Sequence, residues 1–474
     1  MSTSRREFLK VSGIASSLYL FPSLLKKCGK KQQQPNIVLV LADDMGYGDL
    51  SCYGQKYFST PNIDNLAKNG MKFTQHYAGS TVCAPSRCVL LTGKHTGHAY
   101  VRGNKQAEPS GQLPLPTGET TFAEILQKNG YKTGCFGKWG LGTNENIGDP
   151  QNHGFDTFVG YYDQVRAHNA FPEFIYKNGK KIHLDNEVKY MPEDHWSEGL
   201  GSYSTEKNEY ARDVVFKEAV KFLEDNRDNP FLLYFPTTIP HDNGEALEGA
   251  KNEVPYIKEE FKNKNWSKEQ KQYATVNTIL DDYVGKLTDK IKELGLERET
   301  IFIFTSDNGP TTHPWNKKFD SNGPLRGYKR DLYEGGIRVP LLVKWPGNIK
   351  KDSISEHVSA FWDFFPTICE IAGVDKDYET DGISFLPTLT GKKQEQHEYL
   401  YWEFHFWKPS RQAIRFGKWK AVKNSSESAI ELYNLDQDIS EAKNIAEENP
   451  AIVEKASSLM NEARDESDLW QLKS

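Results

Sequence analysis

Four continuous apolar runs constrain the fold of this chain more than any other feature of its sequence. They occupy residues 36–42, 231–235, 301–305 and 341–344. Such runs suit strands that are buried on both faces of a parallel sheet. Segments with helical periodicity lie between them, at residues 121–129, 208–226, 268–295 and 361–373. The alternation predicts an α/β fold, with a large mixed sheet that is mostly parallel and is flanked by helices.

The pattern changes after about residue 390. Short aromatic and β-branched segments follow one another up to about residue 435, and a last helix is predicted over residues 450–467. This pattern is typical of a small antiparallel sheet with one helix. We therefore expect a first, catalytic domain at residues 35–390 and an α+β subdomain at residues 397–474.

The composition excludes several classes of protein. Apolar residues make up 37 % and aromatic residues 12 % of the 474, which is enough for a sizeable core. The mean hydropathy of -0.68 argues against an integral membrane protein. The net charge of -6 gives no reason to expect nucleic acid as a partner. Six cysteines in so long a chain do not form a disulfide framework.

The N-terminus predicts export. Residues 4–10 read SRREFLK and resemble a twin-arginine signal, with a modest apolar stretch after them that is too short for a confident membrane span. We therefore expect export by the twin-arginine machinery to the periplasm or the cell surface. An ordinary secretory signal is the alternative, and it also implies export. Cys28 is a candidate site for a lipid anchor, and residues 1–34 are excluded from the fold argument.

The segment CAPSRCVLLTGK, residues 83–94, combines a cysteine, a nearby proline and an apolar helical turn. Pro85 suits the first position of a helix, and Gly93 suits its C-terminal end. Cys83 then lies just before the helix N-terminus, where free N–H groups and the helix dipole favour an anion. Arg87 follows one turn later, and its planar guanidinium suits a tetrahedral oxyanion. The alternative is a buried cysteine beside an ordinary capped helix.

Acidic residues follow two of the predicted strands. Asp43 and Asp44 come directly after the first apolar run, and Asp307 and Asn308 follow the third. Because the carboxyl ends of parallel strands meet at one edge of a sheet, we expect these side chains to lie together. Three carboxylates and an amide oxygen form a hard donor set, which suits Ca²⁺ or Mg²⁺ better than Zn²⁺. Either cluster alone is also typical of a solvated loop.

The 83–94 segment resembles the signature of the type I, formylglycine-dependent sulfatases, and the whole chain looks like a bacterial carbohydrate sulfatase of the arylsulfatase and N-acetylgalactosamine-sulfatase type. The resemblance begins at about Asn36 and implies an alkaline-phosphatase-like fold. In this family a maturation enzyme oxidises the cysteine to formylglycine, an aldehyde that works as its hydrate. The resemblance thus implies a sulfuric ester hydrolase with modified Cys83 as the nucleophile. It also implies one Ca²⁺, held by an oxygen of the modified residue and by Asp43, Asp44, Asp307 and Asn308.

Three other segments resemble sulfatase motifs and imply further catalytic residues. Lys138, in the segment GYKTGCFGKWGLG, is implied to contact the sulfate and the nucleophile. His241 is implied to protonate the leaving oxygen or to bind the sulfate, and imidazole suits the role through its near-neutral pKa. Lys329 is implied to contact the sulfate and the leaving group. Arg330 is either a further contact or a structural ion-pair partner.

The implied mechanism needs both hydroxyls of the hydrated aldehyde. One attacks sulfur in line with the departing alcohol, and the other expels sulfate as the aldehyde re-forms. Arg87, Lys138 and Lys329 neutralise charge on the sulfuryl oxygens. The general base stays open, because many relatives carry His where this chain has Gly140. The candidates that remain are His95, His98 and His168.

The sequence predicts the substrate less sharply. Export and the aromatic content fit a sulfated carbohydrate, and the resemblance favours a galactose or N-acetylgalactosamine sulfate. Two segments after predicted strand ends, residues 166–173 and 313–316, are candidate pocket walls. The predicted substrate contacts are His168, His313, Trp315 and Asn322. Two other functions stay open: a phosphate or phosphonate ester hydrolase of the same superfamily, and a glycan-binding protein whose cysteine is never converted. Gly140 favours the second.

Overall fold

The computed structural model describes residues 34–107, 111–192, 201–374, 378–405 and 409–474. The predicted export segment up to residue 33, which contains Cys28, lies outside the described residues. Within the described ranges, no helix has both the length and the apolar character that crossing a bilayer requires.

A ten-stranded mixed sheet forms the centre of the described chain. The described strands, in this sheet and in three smaller ones, are β1 (Asn36–Asp43), β2 (Met71–Phe73), β3 (His76–Tyr77), β4 (Lys132–Lys138), β5 (Thr157–Tyr161), β6 (Phe174–Lys177), β7 (Lys180–His183), β8 (Asn186–Tyr190), β9 (Ser202–Lys207), β10 (Phe231–Pro240), β11 (Thr300–Ser306), β12 (Leu341–Lys344), β13 (Ser353–Ser355), β14 (Ser359–Ala360), β15 (Leu400–Phe404), β16 (Arg411–Phe416), β17 (Trp419–Lys423) and β18 (Glu431–Asn434). The order in the large sheet is β13-β2-β12-β11-β1-β10-β4-β5-β6-β7. From β11 to β5 the neighbours are parallel.

Helices cover both faces of this sheet. They are α1 (Pro61–Lys68), α2 (Cys83–Thr92), α3 (Phe122–Lys128), α4 (Ala211–Asp225), α5 (Glu259–Lys262), α6 (Lys268–Glu293), α7 (Pro314–Lys318), α8 (Glu334–Ile337), α9 (Phe364–Ile371), α10 (Leu386–Leu389) and α11 (Pro450–Glu462). Successive side chains of β1 point to opposite faces. Ile37, Leu39 and Leu41 pack with α2, α3 and α9, whereas Val38 and Val40 pack with α1, α4 and α6.

The predicted fold class is confirmed. The four apolar runs lie in β1, β10, β11 and β12, and the four helical segments correspond to α3, α4, α6 and α9. β12 runs antiparallel to β11, so the sheet is mixed, as predicted. The last two strands of the large sheet, β6 and β7, and the separate two-stranded sheet of β8 and β9 were not predicted. Strands β7 and β8 are largely exposed and carry no apolar run.

The predicted C-terminal elements are also present. Strands β15 to β18 form an antiparallel sheet, and α11 packs on it around a separate apolar cluster. Buried ion pairs connect this sheet to the rest of the molecule. Glu403 in β15 binds both Arg102 and Arg464 at 2.9 Å. Lys420 in β17 binds Glu334, the first residue of α8, at 3.0 Å.

Candidate active site

Four polar side chains meet where β1 and β11 end. The strands are parallel neighbours, so the residues at their ends leave the sheet at one edge. Asp43 ends β1, and the next residue, Asp44, donates its backbone N–H to Oδ1 of Asp307 at 3.1 Å. Nδ2 of Asn308 donates to Oδ1 of Asp44 at 2.7 Å. The structure thus brings together the four residues predicted as metal ligands, all of them buried.

Helix α2 carries Cys83 into this cluster as its first residue. Sγ lies 3.5 Å from Oδ1 of Asp43 and 3.6 Å from Nζ of Lys329. Pro85 occupies the third helical position, whereas the sequence predicted it at the first. This shift removes no hydrogen bond, because the first four N–H groups of a helix have no partner within it. Gly93 follows the last helical residue with a φ of 71°.

Two lysines and a histidine surround the carboxylates. Lys138, the last residue of β4, places Nζ 2.8 Å from Oδ2 of Asp43. Nζ of Lys329 lies 2.7 Å from Oδ2 of Asp44 and 3.2 Å from Nε2 of His241. His241 directly follows β10, the other parallel neighbour of β1. All three residues were predicted for the site, and all three lie in it.

Arg87 lies in the cluster but does not face a cavity. Nε and one terminal nitrogen both donate to Oδ2 of Asp307, at 3.1 and 2.9 Å. The other terminal nitrogen donates to the carbonyl of Lys138 at 2.6 Å. The side chain is completely buried. The planar fork is engaged by a carboxylate, which it holds in place, and the contact of Arg87 with a sulfuryl oxygen stays a prediction.

Burial and charge act together on the ionisable groups. Burial alone would raise the pKa of Asp43, but Lys138 and the other nearby cations hold that pKa well below its usual range. Burial and the neighbouring Asp43 raise the pKa of Asp307 to about 7. Burial lowers the pKa of His241 well below its ordinary value, and the charge of Lys329 lowers it further. The imidazole is therefore neutral at pH 7.

The donor atoms fit a hard divalent cation. Oδ1 of Asn308 is buried and has no hydrogen-bond partner among the described residues. It lies beside three carboxylates. The raised pKa of one of them, Asp307, indicates that the surrounding residues supply too little positive charge to balance it. Oxygen donors of this kind suit Ca²⁺ or Mg²⁺. A group with ligand atoms within 4.8 Å of one another comprises Asp43, Asp44, Cys83 and His241.

A cavity of about 640 Å³ opens onto this cluster. Cys83, His241 and Lys329 line its buried inner end. The ring of His168 stacks on His241 with centroids 4.8 Å apart, and His313 lines the same cavity. The volume lies in the range of sites that enclose small organic ligands. The arrangement can thus hold an organic molecule against the side chain at position 83.

Comparison with known proteins decides the family. A family model described as Sulfatase matches residues 35–374. The chain belongs to the sulfatase family. A second model, described as N-sulphoglucosamine sulphohydrolase, C-terminal, matches residues 327–466. The family predicted from the sequence is confirmed, and the chain is a sulfatase enzyme.

Two curated sulfatases and one solved structure resemble this chain over most of their length. Human arylsulfatase A is 34 % identical over 405 residues, which cover 82 % of this chain and 74 % of that protein. The N-acetylgalactosamine-6-O-sulfatase of Bacteroides thetaiotaomicron is 29 % identical and covers 93 % of this chain and 95 % of its own. The solved structure of Ps i-CgsB in complex with k-i-k-neocarrahexaose has a TM-score of 0.75 at 27 % identity. The match covers 91 % of this chain and 92 % of the chain in that structure.

Two residues predicted as substrate contacts do not line the cavity of this sulfatase. Trp315 is 3 % exposed and packs in an aromatic cluster with Phe319, because α7 turns its ring inward. Asn322 donates Nδ2 to the carbonyls of Leu325 and Gly327 and so supports the loop between α7 and α8. The aromatic ring of Trp315 and the amide of Asn322 therefore stabilise the local fold.

The three histidines considered as a general base lie in two different places. Among them, His168 lines the cavity, and its Nδ1 lies 3.1 Å from Oε1 of Glu245. His95 and His98 do not line it. They contact Asp381 instead, with Nδ1 of His98 at 2.9 Å and Nε2 of His95 at 3.7 Å. The geometry leaves His168 as the candidate that can reach a bound molecule.

Gly140, the departure from the resembled motif, has a left-handed backbone with a φ of 79°. A Cβ at this position would lie 2.8 Å from the side chain of Gln164, which lines the cavity. Sequence analysis missed Gln164, and it also missed cavity residues at 104–106 and 469–473. No local pattern distinguishes these residues, because only tertiary packing brings them to the site.

Proposed function

We propose that this sulfatase removes sulfate from a sulfated carbohydrate, with a galactose or N-acetylgalactosamine sulfate as the favoured substrate. The observation that carries the proposal is the position of Cys83, 3.5 Å from Asp43 at the inner end of a cavity with room for a sugar. The B. thetaiotaomicron N-acetylgalactosamine-6-O-sulfatase, which matches 93 % of the chain, supports the choice of sugar. The neocarrahexaose complex supports a carbohydrate ligand.

Cys83 acts in this proposal after a maturation enzyme has converted it to formylglycine. Burial raises the pKa of the Cys83 thiol to about 12, although Lys138 and Lys329 lie nearby. An unconverted cysteine is therefore a protonated thiol at neutral pH, which is a poor nucleophile. The hydrated aldehyde supplies two hydroxyls on one carbon, one to attack sulfur and one to release sulfate.

The metal of the proposal is Ca²⁺. Its ligands are an oxygen of the converted residue 83 and the side chains of Asp43, Asp44, Asp307 and Asn308. The unpaired Oδ1 of Asn308 and the raised pKa of Asp307 support this set. When bound, the ion lowers the pKa of a coordinated oxygen and draws charge from a sulfuryl oxygen. Arg87 contributes by keeping Asp307 oriented toward the cluster.

In this proposal, two ammonium groups supply positive charge near the inner end of the cavity, and an imidazole shares a proton with one of them. These groups belong to Lys138, Lys329 and His241. Burial alone would lower the pKa of Lys329, but Asp44 raises it, so the ammonium stays charged. Nδ1 of His241 donates to the carbonyl of Asp242 at 2.6 Å, which leaves Nε2 to accept from Lys329. The proton for the leaving oxygen therefore belongs to the Lys329–His241 pair. The ammonium of Lys329, which lines the cavity, faces the sulfuryl oxygens, and the buried ammonium of Lys138 adds its positive charge from beside Asp43.

His168 is the general base of this proposal. Glu245 Oε1 lies 3.1 Å from Nδ1, so the carboxylate holds the proton on that nitrogen and leaves Nε2 to take another. Glu245 is itself fixed, since its side chain is 1 % exposed and accepts the Gly201 N–H at 3.0 Å. The stacking of His168 on His241 supports this assignment, because His241 lies in the same cluster as residue 83.

The enzyme of this proposal works outside the cytoplasm. The SRREFLK sequence at residues 4–10 supports export by the twin-arginine machinery to the periplasm or the cell surface. Cys28 is the residue at which a lipid anchor would be attached. Cell fractionation of wild type and of an Arg5→Lys, Arg6→Lys variant tests the route.

The experiment that tests the proposed function measures sulfate release by converted enzyme. The substrates are galactose and N-acetylgalactosamine monosulfates that differ in the sulfated position, and matched phosphate esters serve as controls. We expect release from at least one of the sulfates and slower hydrolysis of the phosphate. Faster hydrolysis of the phosphate would support a phosphoesterase. Sugar binding without turnover, together with an unconverted Cys83, would support a glycan-binding protein.

A further inference from the structure

The cavity extends well beyond the residues that surround Cys83. One wall, here called the outer wall, begins at Asn104, whose Oδ1 accepts the Ala84 N–H at 3.2 Å beside Cys83. It continues through residues 105–106 to a segment near the C-terminus, residues 469–473, with His405 beside them. The inner end accommodates one sulfuryl group, so a cavity of about 640 Å³ leaves room for more than the sulfated sugar. The outer wall therefore faces whatever is attached to that sugar.

Packing and hydrogen bonds fix the outer wall in place. Trp470 is 6 % exposed, and its Nε1 donates to the carbonyl of Tyr100 at 2.7 Å. Gly103 packs against the same ring, because a Cβ there would lie 2.9 Å from it. Ser410 N donates to the carbonyl of Lys473 at 2.8 Å, and Lys473 N donates to Oγ of Ser410 at 2.9 Å. Contacts with the rest of the fold thus hold the backbone of both segments that form the outer wall.

The outer wall carries two lysines that have no ion-pair partner among the described residues. The acidic residues that line the cavity, Asp242 and Glu245, each lie within 3.4 Å of a histidine nitrogen. Lys105 and Lys473 line the outer wall, and neither ammonium has an ion-pair partner within the described residues. The chain as a whole has a net charge of -6, so these lysines are not part of a generally basic protein. Their charge attracts an anion that enters the cavity.

We propose that Lys105 and Lys473 bind a second anionic substituent of the substrate, a sulfate or a uronate carboxylate, on a sugar next to the one that loses its sulfate. The inference rests on the proposed function, since it concerns the substrate of the same cavity. It narrows the substrate class to oligosaccharides with at least two anionic groups. Because both ammonium groups are exposed to solvent, two such contacts give a preference on the order of tenfold.

The test compares three oligosaccharides of equal length that carry the same cleavable sulfate. One is otherwise neutral, one carries a second sulfate, and one carries a uronate. The ratio of kcat/KM for each dianionic substrate to that for the neutral one is measured by sulfate release. We expect a ratio of roughly ten for wild type at low salt, with the more favoured dianion identifying the substituent. The preference should disappear at high ionic strength and in the Lys105→Gln, Lys473→Gln double variant.

Two controls separate charge at this wall from other effects. The Lys105→Arg, Lys473→Arg variant keeps both charges and should keep the preference. Lys393→Gln removes an exposed lysine outside the cavity and should also keep it. A wild type without preference overturns the inference, as does an unchanged ratio in the double glutamine variant. Failure of the proposed function gives a different result, because no sulfate is then released from any of the three substrates.

Discussion

Replacing Cys83 by serine tests the need for two hydroxyls on one carbon. Serine offers a single hydroxyl, so a transferred sulfuryl group would stay on the enzyme. We expect sulfate release to fall to background, while the fold persists because the two side chains are similar in size. In wild type, the peptide that contains residue 83 should be about 18 Da lighter than the cysteine form, the mass change of conversion to an aldehyde. Wild-type turnover by Cys83→Ser would refute the assignment.

Replacing His168 by alanine tests the proposed base without touching the nucleophile. We expect kcat to fall by roughly 10²–10⁴, the usual contribution of a general base. Sulfated enzyme should accumulate, which intact-mass measurement detects. His98→Ala is the matched control, since it removes a histidine that does not line the cavity. If both variants keep wild-type kcat, the base is another group.

The position of a site residue could be predicted from the sequence where it directly follows a buried strand and its side chain suits the chemistry of the site. Asp44 and Asn308 follow buried strands that are neighbours, so their backbone positions almost determine that they meet. Trp315 and Asn322 also follow a strand, but at some distance, and nothing in the sequence sets the direction of their side chains. Gln164 has no motif at all and reaches the cavity through packing against Gly140.

At the scale of elements, the turn after β4 gives a testable prediction. Gly140→His should not raise activity, because the left-handed backbone costs about 1–2 kcal/mol for a side chain and the new Cβ displaces Gln164. Gly130→His is the matched control. Gly130 has a φ of 88° and nothing within 4 Å of a Cβ. Both variants should unfold at a lower temperature, but only Gly140→His should lower kcat/KM. A gain in kcat/KM would show that position 140 can still supply the base.

The elements that sequence analysis identified are those with two buried faces. β1, β10 and β11 are buried along their whole length, and only continuous apolar residues satisfy that environment. β7 and β8 have mostly exposed side chains, so their pairing depends on the backbone and on tertiary context. The start of α2 was misplaced by two residues, because proline is tolerated anywhere in the first helical turn.

At the scale of the whole molecule, the Glu403 network predicts how stability depends on pH. Burial alone would raise the pKa of Glu403, but the hydrogen bond from His405 and the charge of Arg102 outweigh it and lower the pKa from 4.5 to about 2. The carboxylate therefore stabilises the fold above pH 4.5, and this contribution is lost as the pH falls toward 2. Glu403→Gln should cost about 3–5 kcal/mol at neutral pH, because Arg102 is left buried and unpaired.

The measurement is the free energy of unfolding of wild type and Glu403→Gln in denaturant between pH 7 and pH 3. The difference between the two should shrink as the pH falls. Glu187→Gln, at an exposed position in β8, should show no such difference. A gap that stays constant over this range would mean that Glu403 does not stabilise the fold through its charge.

Removal of the proposed Ca²⁺ should also affect the whole molecule. A ligand that binds only the folded state stabilises it by about 2.7 kcal/mol at a concentration 100-fold above its dissociation constant. We therefore expect a chelator to lower both the melting temperature and sulfate release, and excess Ca²⁺ to restore them. Asn308→Ala should weaken the response to Ca²⁺, because it removes the unpaired oxygen. A melting temperature that ignores chelator and Ca²⁺ alike would argue against a metal in this cluster.

The central position of β1 has a consequence during synthesis. Its neighbours in the sheet, β10 and β11, are made long after it, and the cluster around Cys83 is incomplete until Asp307 has left the ribosome. At roughly 5–20 residues per second, translation from one residue to the other takes roughly 10–45 s. The thiol is 1 % exposed once the sheet has closed. The order of the strands therefore gives a modifying enzyme a period of many seconds to reach the cysteine on the growing chain.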